Sequence, residues 1–195
     1  LPRLREPGRM KIKYNAPAVL TFTLVSGLVL ALDSVAFPGL AENLFSAPAR
    51  GTFRAGDPLD WLRLVSHVAG HAGLEHFLSN FMMILLLGPI LEAVYGSGLM
   101  LLMGGVTALA TGILNALIFP TSLMGASGIV FMMILLASFT NFGKGEIPVT
   151  FLLVMVLFLG REVLASFASN QVSEFAHIIG GLMGAFFGFL RPRKA

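Results

Sequence analysis

The sequence contains no cysteine, one tryptophan and two tyrosines, and only 12% of its 195 residues are charged. The missing cysteine excludes disulfides, thiolate metal sites and a cysteine nucleophile. The scarcity of charge, set beside a hydrophobic fraction of 56% and a mean hydropathy of +0.85, excludes an ordinary soluble domain, whose surface needs more polar side chains. The length suits one compact helical unit without a second domain. The formal net charge is only +3, yet its placement is uneven. Arg3, Arg5, Arg9, Lys11 and Lys13 precede the first apolar run, and Arg191, Arg193 and Lys194 follow the last. Beside so much apolar sequence, these basic ends read as cytosolic flanks of membrane spans and not as a nucleic-acid patch. The first apolar run is long and lacks a small-x-small cleavage site, so it reads as an anchor.

A spanning helix needs about 20 predominantly apolar residues. Six stretches approach that length: 16–35, 77–95, 98–119, 122–142, 148–167 and 175–190, the last extended by a few flanking residues. The expected organisation is therefore an all-α membrane protein of six transmembrane helices over residues 16–190, between a basic segment 1–15 and a basic tail 191–195. The connection from Ala36 to His76 is long, and it holds Pro38, Pro48, Gly51, Gly56 and Pro58. Its turn formers and scattered charges predict a structured loop, with short interfacial helices around Trp61. An even number of spans returns the chain to its starting side, and both ends are basic. Both termini are accordingly expected in the cytosol, and the second, fourth and sixth spans run inward.

Ionisable and amide side chains inside a bilayer are costly unless paired or hydrated, so each marks a functional candidate. His76 and Asn80 open the second span, Ser127 stands about five residues into the fourth, and His177 lies near the start of the sixth. At ~1.5 Å per residue, the inferred topology puts all four within roughly 5–10 Å of the outer boundary. A hydroxyl near an imidazole can be deprotonated as it attacks a carbonyl. The oxyanion that develops needs donors, which an amide, a second imidazole and a backbone N–H can supply. No carboxylate lies within the fourth or sixth stretch near Ser127 or His177, so the allowed arrangement is a Ser–His dyad. Gly125, Ala126 and Gly128 around Ser127, and Gly180, Gly184 and Gly188 after His177, are small residues that permit close helix contact. The stripe shares a face with His177, and if its partner is the fourth span, His177 comes within reach of Ser127.

Taken in order, Trp61-Leu62-Arg63, Ser66-His67, His71, His76, Asn80, Gly88, Glu92, Gly96-Ser97, Gly125-Ala126-Ser127-Gly128 and Ala176-His177-Ile178-Ile179-Gly180 with Gly184 resemble the signature of the rhomboid intramembrane serine proteases. Each motif alone is weak; their order across all six stretches is specific. The resemblance implies a six-helix rhomboid-like fold and a serine endopeptidase that cleaves transmembrane proteins near the membrane surface without cofactor or metal. Ser127 would be the nucleophile and His177 its base, with an oxyanion hole of His76, Asn80 and the Ser127 backbone N–H. Gly125 would give room beside the nucleophile. Arg63, His71 and Glu92 would be structural, with Arg63 and Glu92 tying the first loop and the end of the second span. Substrate would enter past the fifth span, beneath a cap at residues 168–174. Two positions depart from the family pattern. Phe131 stands where a tyrosine often packs on the catalytic histidine, and Leu62 separates Trp61 from Arg63. The resemblance carries no expectation for the Arg161-Glu162 pair in the fifth stretch.

Three rival readings compete, one enzymatic and two from other classes. His67, His71, Glu75 and His76 suggest a metalloprotease, but the spacing is not the His-Glu-x-x-His that zinc proteases use. A catalytically inactive relative that binds membrane clients would have the same fold, although such proteins usually lack the serine or the histidine. A transporter is disfavoured because the polar cluster lies near one surface only. The partners expected are transmembrane substrates and the lipid bilayer, with no nucleic acid and no metal, in a prokaryotic plasma membrane.

Overall fold

The structure is a computed structural model that describes residues 13–139 and 171–190, with residues 149, 153, 156 and 157 between them. The fifth apolar stretch as a unit, the Arg161-Glu162 pair, residues 168–170 of the expected cap and both basic ends lie outside the described residues. Among the described residues the fold is helical, and the only strand-like pairing is a single bridge between Ala47 and Leu123. Helix α1 spans Pro17–Val35, α2 Leu40–Leu44, α3 Pro58–Ser66, α4 Leu74–Tyr95, α5 Ser97–Ile118, α6 Ser127–Phe139 and α7 Gln171–Leu190; a 3-10 turn, His67–Ala69, follows α3. Three of these, α1, α4 and α5, are long and apolar enough to cross a membrane. Shorter apolar segments occupy Ser127–Ser138 and Phe175–Leu190.

The apolar stretches locate the helices to within a few residues, with two displacements that bear on function. Helix α4 begins at Leu74, three residues before the expected start, so His76 belongs to its first turn. Helix α6 begins at Ser127 itself, not five residues upstream. The reason is local. Leu123 exchanges backbone hydrogen bonds with Ala47 (2.8 and 3.2 Å), and Gly125 holds a left-handed φ of +124°, so residues 122–126 cannot be helical. Helix α7 starts at Gln171, so residues 171–174 of the expected cap are helical backbone.

Charged and polar groups fasten these helices at a few points. Pro17 opens α1 without an N–H, and the next two amides point at a carboxylate from another helix. Ala18 and Val19 donate to Glu92 Oε1 and Oε2 at 2.9 and 3.0 Å, and Ser97 Oγ donates to Oε1 at 2.6 Å. Glu92 thus caps α1 from the last turn of α4, where orphan amides and the helix dipole favour a negative charge. Within the long loop, Asp60 is buried beneath two arginines. Arg54 donates its backbone N–H and Nε to Asp60 Oδ2 (2.9 and 3.2 Å), while Arg63 Nη1 donates to Oδ1 (2.8 Å). Burial alone would push the Asp60 carboxyl up; these hydrogen bonds outweigh it and hold the group below its ordinary value. Arg63 also donates Nε to the Asn43 carbonyl at 2.7 Å, joining α3 to the end of α2. Asp57 caps α3 by accepting from the Leu59 N–H at 2.9 Å.

Helices α6 and α7 form the closest pair. A Cβ at Gly180 would fall onto the backbone of Gly128, and one at Gly184 onto the Met132 carbonyl. Glycine at these positions lets two backbones touch, which is how small residues pack membrane helices without a hydrophobic driving force between them.

Candidate active site

The segment ahead of Ser127 is held by the long loop. Arg50 N–H donates to the Phe119 carbonyl at 2.6 Å, and Asn115 Nδ2, buried in α5, donates to the carbonyls of Pro48 (3.0 Å) and Thr121 (3.1 Å). The Gly125 N–H donates to the His67 carbonyl at 3.0 Å. Gly125 then meets the ring of His76: a Cβ there would stand 2.6 Å from Cε1 and 2.8 Å from Nε2. Glycine is required twice over at this position, by its φ and by the imidazole against it. Ser127, two residues on, is half-buried at the start of α6. As the first helical residue it has no carbonyl within the helix for its own N–H, which is left to another acceptor.

His177 comes to the same face from α7. Phe131 stands one turn after Ser127, and its ring lies on that of His177 with centroids 4.2 Å apart. A Cβ on Gly128 would stand 3.3 Å from the Ala176 carbonyl, so the chain neighbours of Ser127 and His177 face each other closely. The structure therefore places Ser127, His177, Gly128, Phe131, Gly180 and Gly184 on the two helices of the α6–α7 contact, and Gly125, in the loop that enters α6, against His76. Asn80 lies one turn after His76, almost fully buried, and its Nδ2 donates to the His76 carbonyl at 2.7 Å.

The other sequence candidates stand back from this group. His71 is buried, its ring edge-on to His76 (5.1 Å) and Phe77 (5.5 Å), and its Nδ1 lies 3.4 Å from the Ala69 carbonyl. Burial, then the nearby His76, push its pKa down to about 4 despite that carbonyl. His67 is likewise buried, with Nε2 3.3 Å from Thr111 Oγ1, and burial lowers its pKa to about 4. Both imidazoles are neutral at ordinary pH and serve packing. Arg63 belongs to the loop network and Glu92 to the α1 cap, at the opposite end of α4 from His76. Among the described residues no three His, Asp or Glu side chains converge as a metal site would need.

Two residues that organise the site have weak sequence signals. Asn115 is an amide within an apolar stretch, a signal that was available and points to its two loop carbonyls. His67 contributes through its backbone carbonyl, which no residue type betrays.

The rhomboid domain profile matches residues 58–194, more than half of the chain, a range that holds His76, Asn80, Ser127 and His177. The chain belongs to the rhomboid family. It is similar to RHOMBOID-like protein 2 of Arabidopsis thaliana, at 30% identity over 82% of this chain and 54% of that protein. It is also similar to rhomboid protease GlpG of Haemophilus influenzae, at 22% identity over 88% of both chains. A third rhomboid relative, rhomboid protease GluP of Bacillus subtilis, matches at 27% identity over 66% of this chain and 25% of its own length. The present chain thus spans about half of the Arabidopsis relative and a quarter of the Bacillus one. With its apolar helices, this rhomboid chain is an integral membrane protein.

Proposed function

We propose that the protein is an intramembrane serine endopeptidase that hydrolyses peptide bonds in or near transmembrane segments of membrane proteins through a dyad of Ser127 and His177. The observation that carries this reading is the seating of the His177 ring on Phe131, one turn from Ser127, across a glycine contact that fixes the two helices together. In the reaction, His177 takes the Ser127 hydroxyl proton as Oγ attacks the scissile carbonyl. The oxyanion receives the Ser127 N–H, His76 and the second Nδ2 hydrogen of Asn80, whose first is committed to the His76 carbonyl. His177 returns its proton to the leaving amine. Water then attacks the acyl-enzyme, losing a proton to His177, and Ser127 is released with its proton restored. No metal or cofactor enters these steps.

The accompanying membrane arrangement is a rhomboid-like bundle of six spans over residues 16–190, with the basic segments 1–15 and 191–195 in the cytosol. The site then opens to the extracytoplasmic side of a prokaryotic plasma membrane. Transmembrane proteins are the substrates and the bilayer is the working solvent. A helical segment hides its peptide bonds in its own hydrogen bonds, so substrates that unwind readily near the outer surface are favoured.

Labelling with a fluorophosphonate, read by mass spectrometry, tests the dyad. The account expects modification at Ser127 that His177→Ala suppresses. Absence of labelling at Ser127 in the folded wild-type protein would favour an inactive rhomboid that binds membrane clients.

A further inference from the structure

Beside His76 an open cleft of about 520 Å³ is lined by Ala72, Gly73, Leu74, Glu75, His76 and Ser79. Ala72, Gly73 and Ser79 are small, so the cleft has room for one long side chain. Glu75 is its only carboxylate among the described residues. It is exposed in the first turn of α4 and makes no ion pair or hydrogen bond among the described residues. A carboxylate in a first helical turn is favoured by the helix dipole, yet that role does not require it to line a cleft. Beside Glu75 the cleft offers only the His76 ring and the Ser79 hydroxyl, short of the three His, Asp or Glu side chains of a metal site, and among the described residues no metal-binding group includes it. What it matches is a single organic cation with an apolar stem, for which Leu74 offers contact.

We propose that Glu75 makes the protein prefer substrates with a lysine or arginine close to the scissile bond. This rests on the proteolytic reading above, in which the scissile carbonyl lies against His76. Glu75 is the neighbour of His76 in the chain, and an extended substrate advances ~3.3 Å per residue, so the basic residue falls within about three positions of the cut. Across an exposed carboxylate the preference is modest, about fivefold in kcat/KM, and it weakens with salt.

The test is a set of fluorescent transmembrane reporters in which lysine, glutamine or glutamate is placed singly at each of the three positions on either side of the cleavage site. These are cut by wild type, Glu75→Gln and Glu75→Lys, with Ser127→Ala as the blank and thermal unfolding as the check on folding. At one or two positions wild type should cut the lysine reporter about fivefold faster than the glutamate reporter. Glu75→Gln should abolish that difference while still cutting the glutamine reporter, and Glu75→Lys should invert it. Equal cutting of all reporters by wild type, or a lysine preference that persists in Glu75→Gln, overturns the inference and leaves proteolysis standing. Reporters that wild type does not cut faster than Ser127→Ala overturn both.

Discussion

At the scale of single residues, the site depends on a few side chains with no freedom to change. Gly125 carries both a left-handed backbone and the His76 ring. Gly125→Ala is expected to cost about 1–3 kcal/mol from the backbone alone and to move the imidazole off its position. Thermal unfolding and reporter cleavage, measured together, should both fall; unchanged cleavage would remove Gly125 from the site. Asn80→Ala should slow cleavage by about 10²–10³-fold with little change in KM, as removal of one oxyanion donor does. His67 and His71 supply a pH dependence of stability. Their folded pKa values, about 4, lie below the ordinary histidine value of 6.5, so the fold prefers the neutral rings. Above pH 6.5 folded and unfolded chains are both neutral there and the stability is complete. As pH falls from 6.5 toward 4 the unfolded chain takes up protons that the fold does not, and stability declines by at most ~3 kcal/mol for each ring. Melting temperatures measured between pH 7 and pH 4 check this, and a flat profile would contradict it.

At the scale of elements, the glycines of α7 decide whether the two halves of the proposed dyad meet. Gly180→Val would drive a side chain into the backbone of Gly128 and separate α6 from α7. Displacement by about an ångström is enough to lower cleavage on the order of 100-fold. A Gly180→Val protein with wild-type cleavage would show that this contact does not set the geometry. The helices themselves were legible in the apolar runs, because a bilayer demands length and hydrophobicity and little else. Their starts were less so. Residues 122–126 are as apolar as a helix, and the backbone of Gly125 with the pairing of Leu123 to Ala47 keeps them out of one. Leu74 and Glu75 read as loop, yet they form the first turn of α4 because Gly73 ends the preceding segment. Spacing singles out His76, Ser127 and His177 near the starts of three apolar stretches, but it does not pair Gly125 with the His76 ring or Phe131 with His177. The backbone carbonyls of Pro48, His67 and Thr121 that hold the loop could not be anticipated, since every residue has one.

At the scale of the molecule, the long loop between α1 and α4 is a scaffold for the entry to α6, and Glu92 closes the other end by binding the first amides of α1. Glu92→Gln keeps the shape and loses the charge, and it is expected to lower unfolding stability by about 2 kcal/mol while leaving the geometry around Ser127 intact. Unfolding in detergent followed alongside cleavage would separate the two effects. The central claim joins all three scales: the fold brings Ser127 and His177 together so that one activates the other. It is tested most directly by cleavage of a fluorescent transmembrane reporter in detergent and in liposomes, by wild type, Ser127→Ala and His177→Ala. The account predicts that wild type cuts while both variants, folded as wild type, do not; cutting that persists in Ser127→Ala would contradict it.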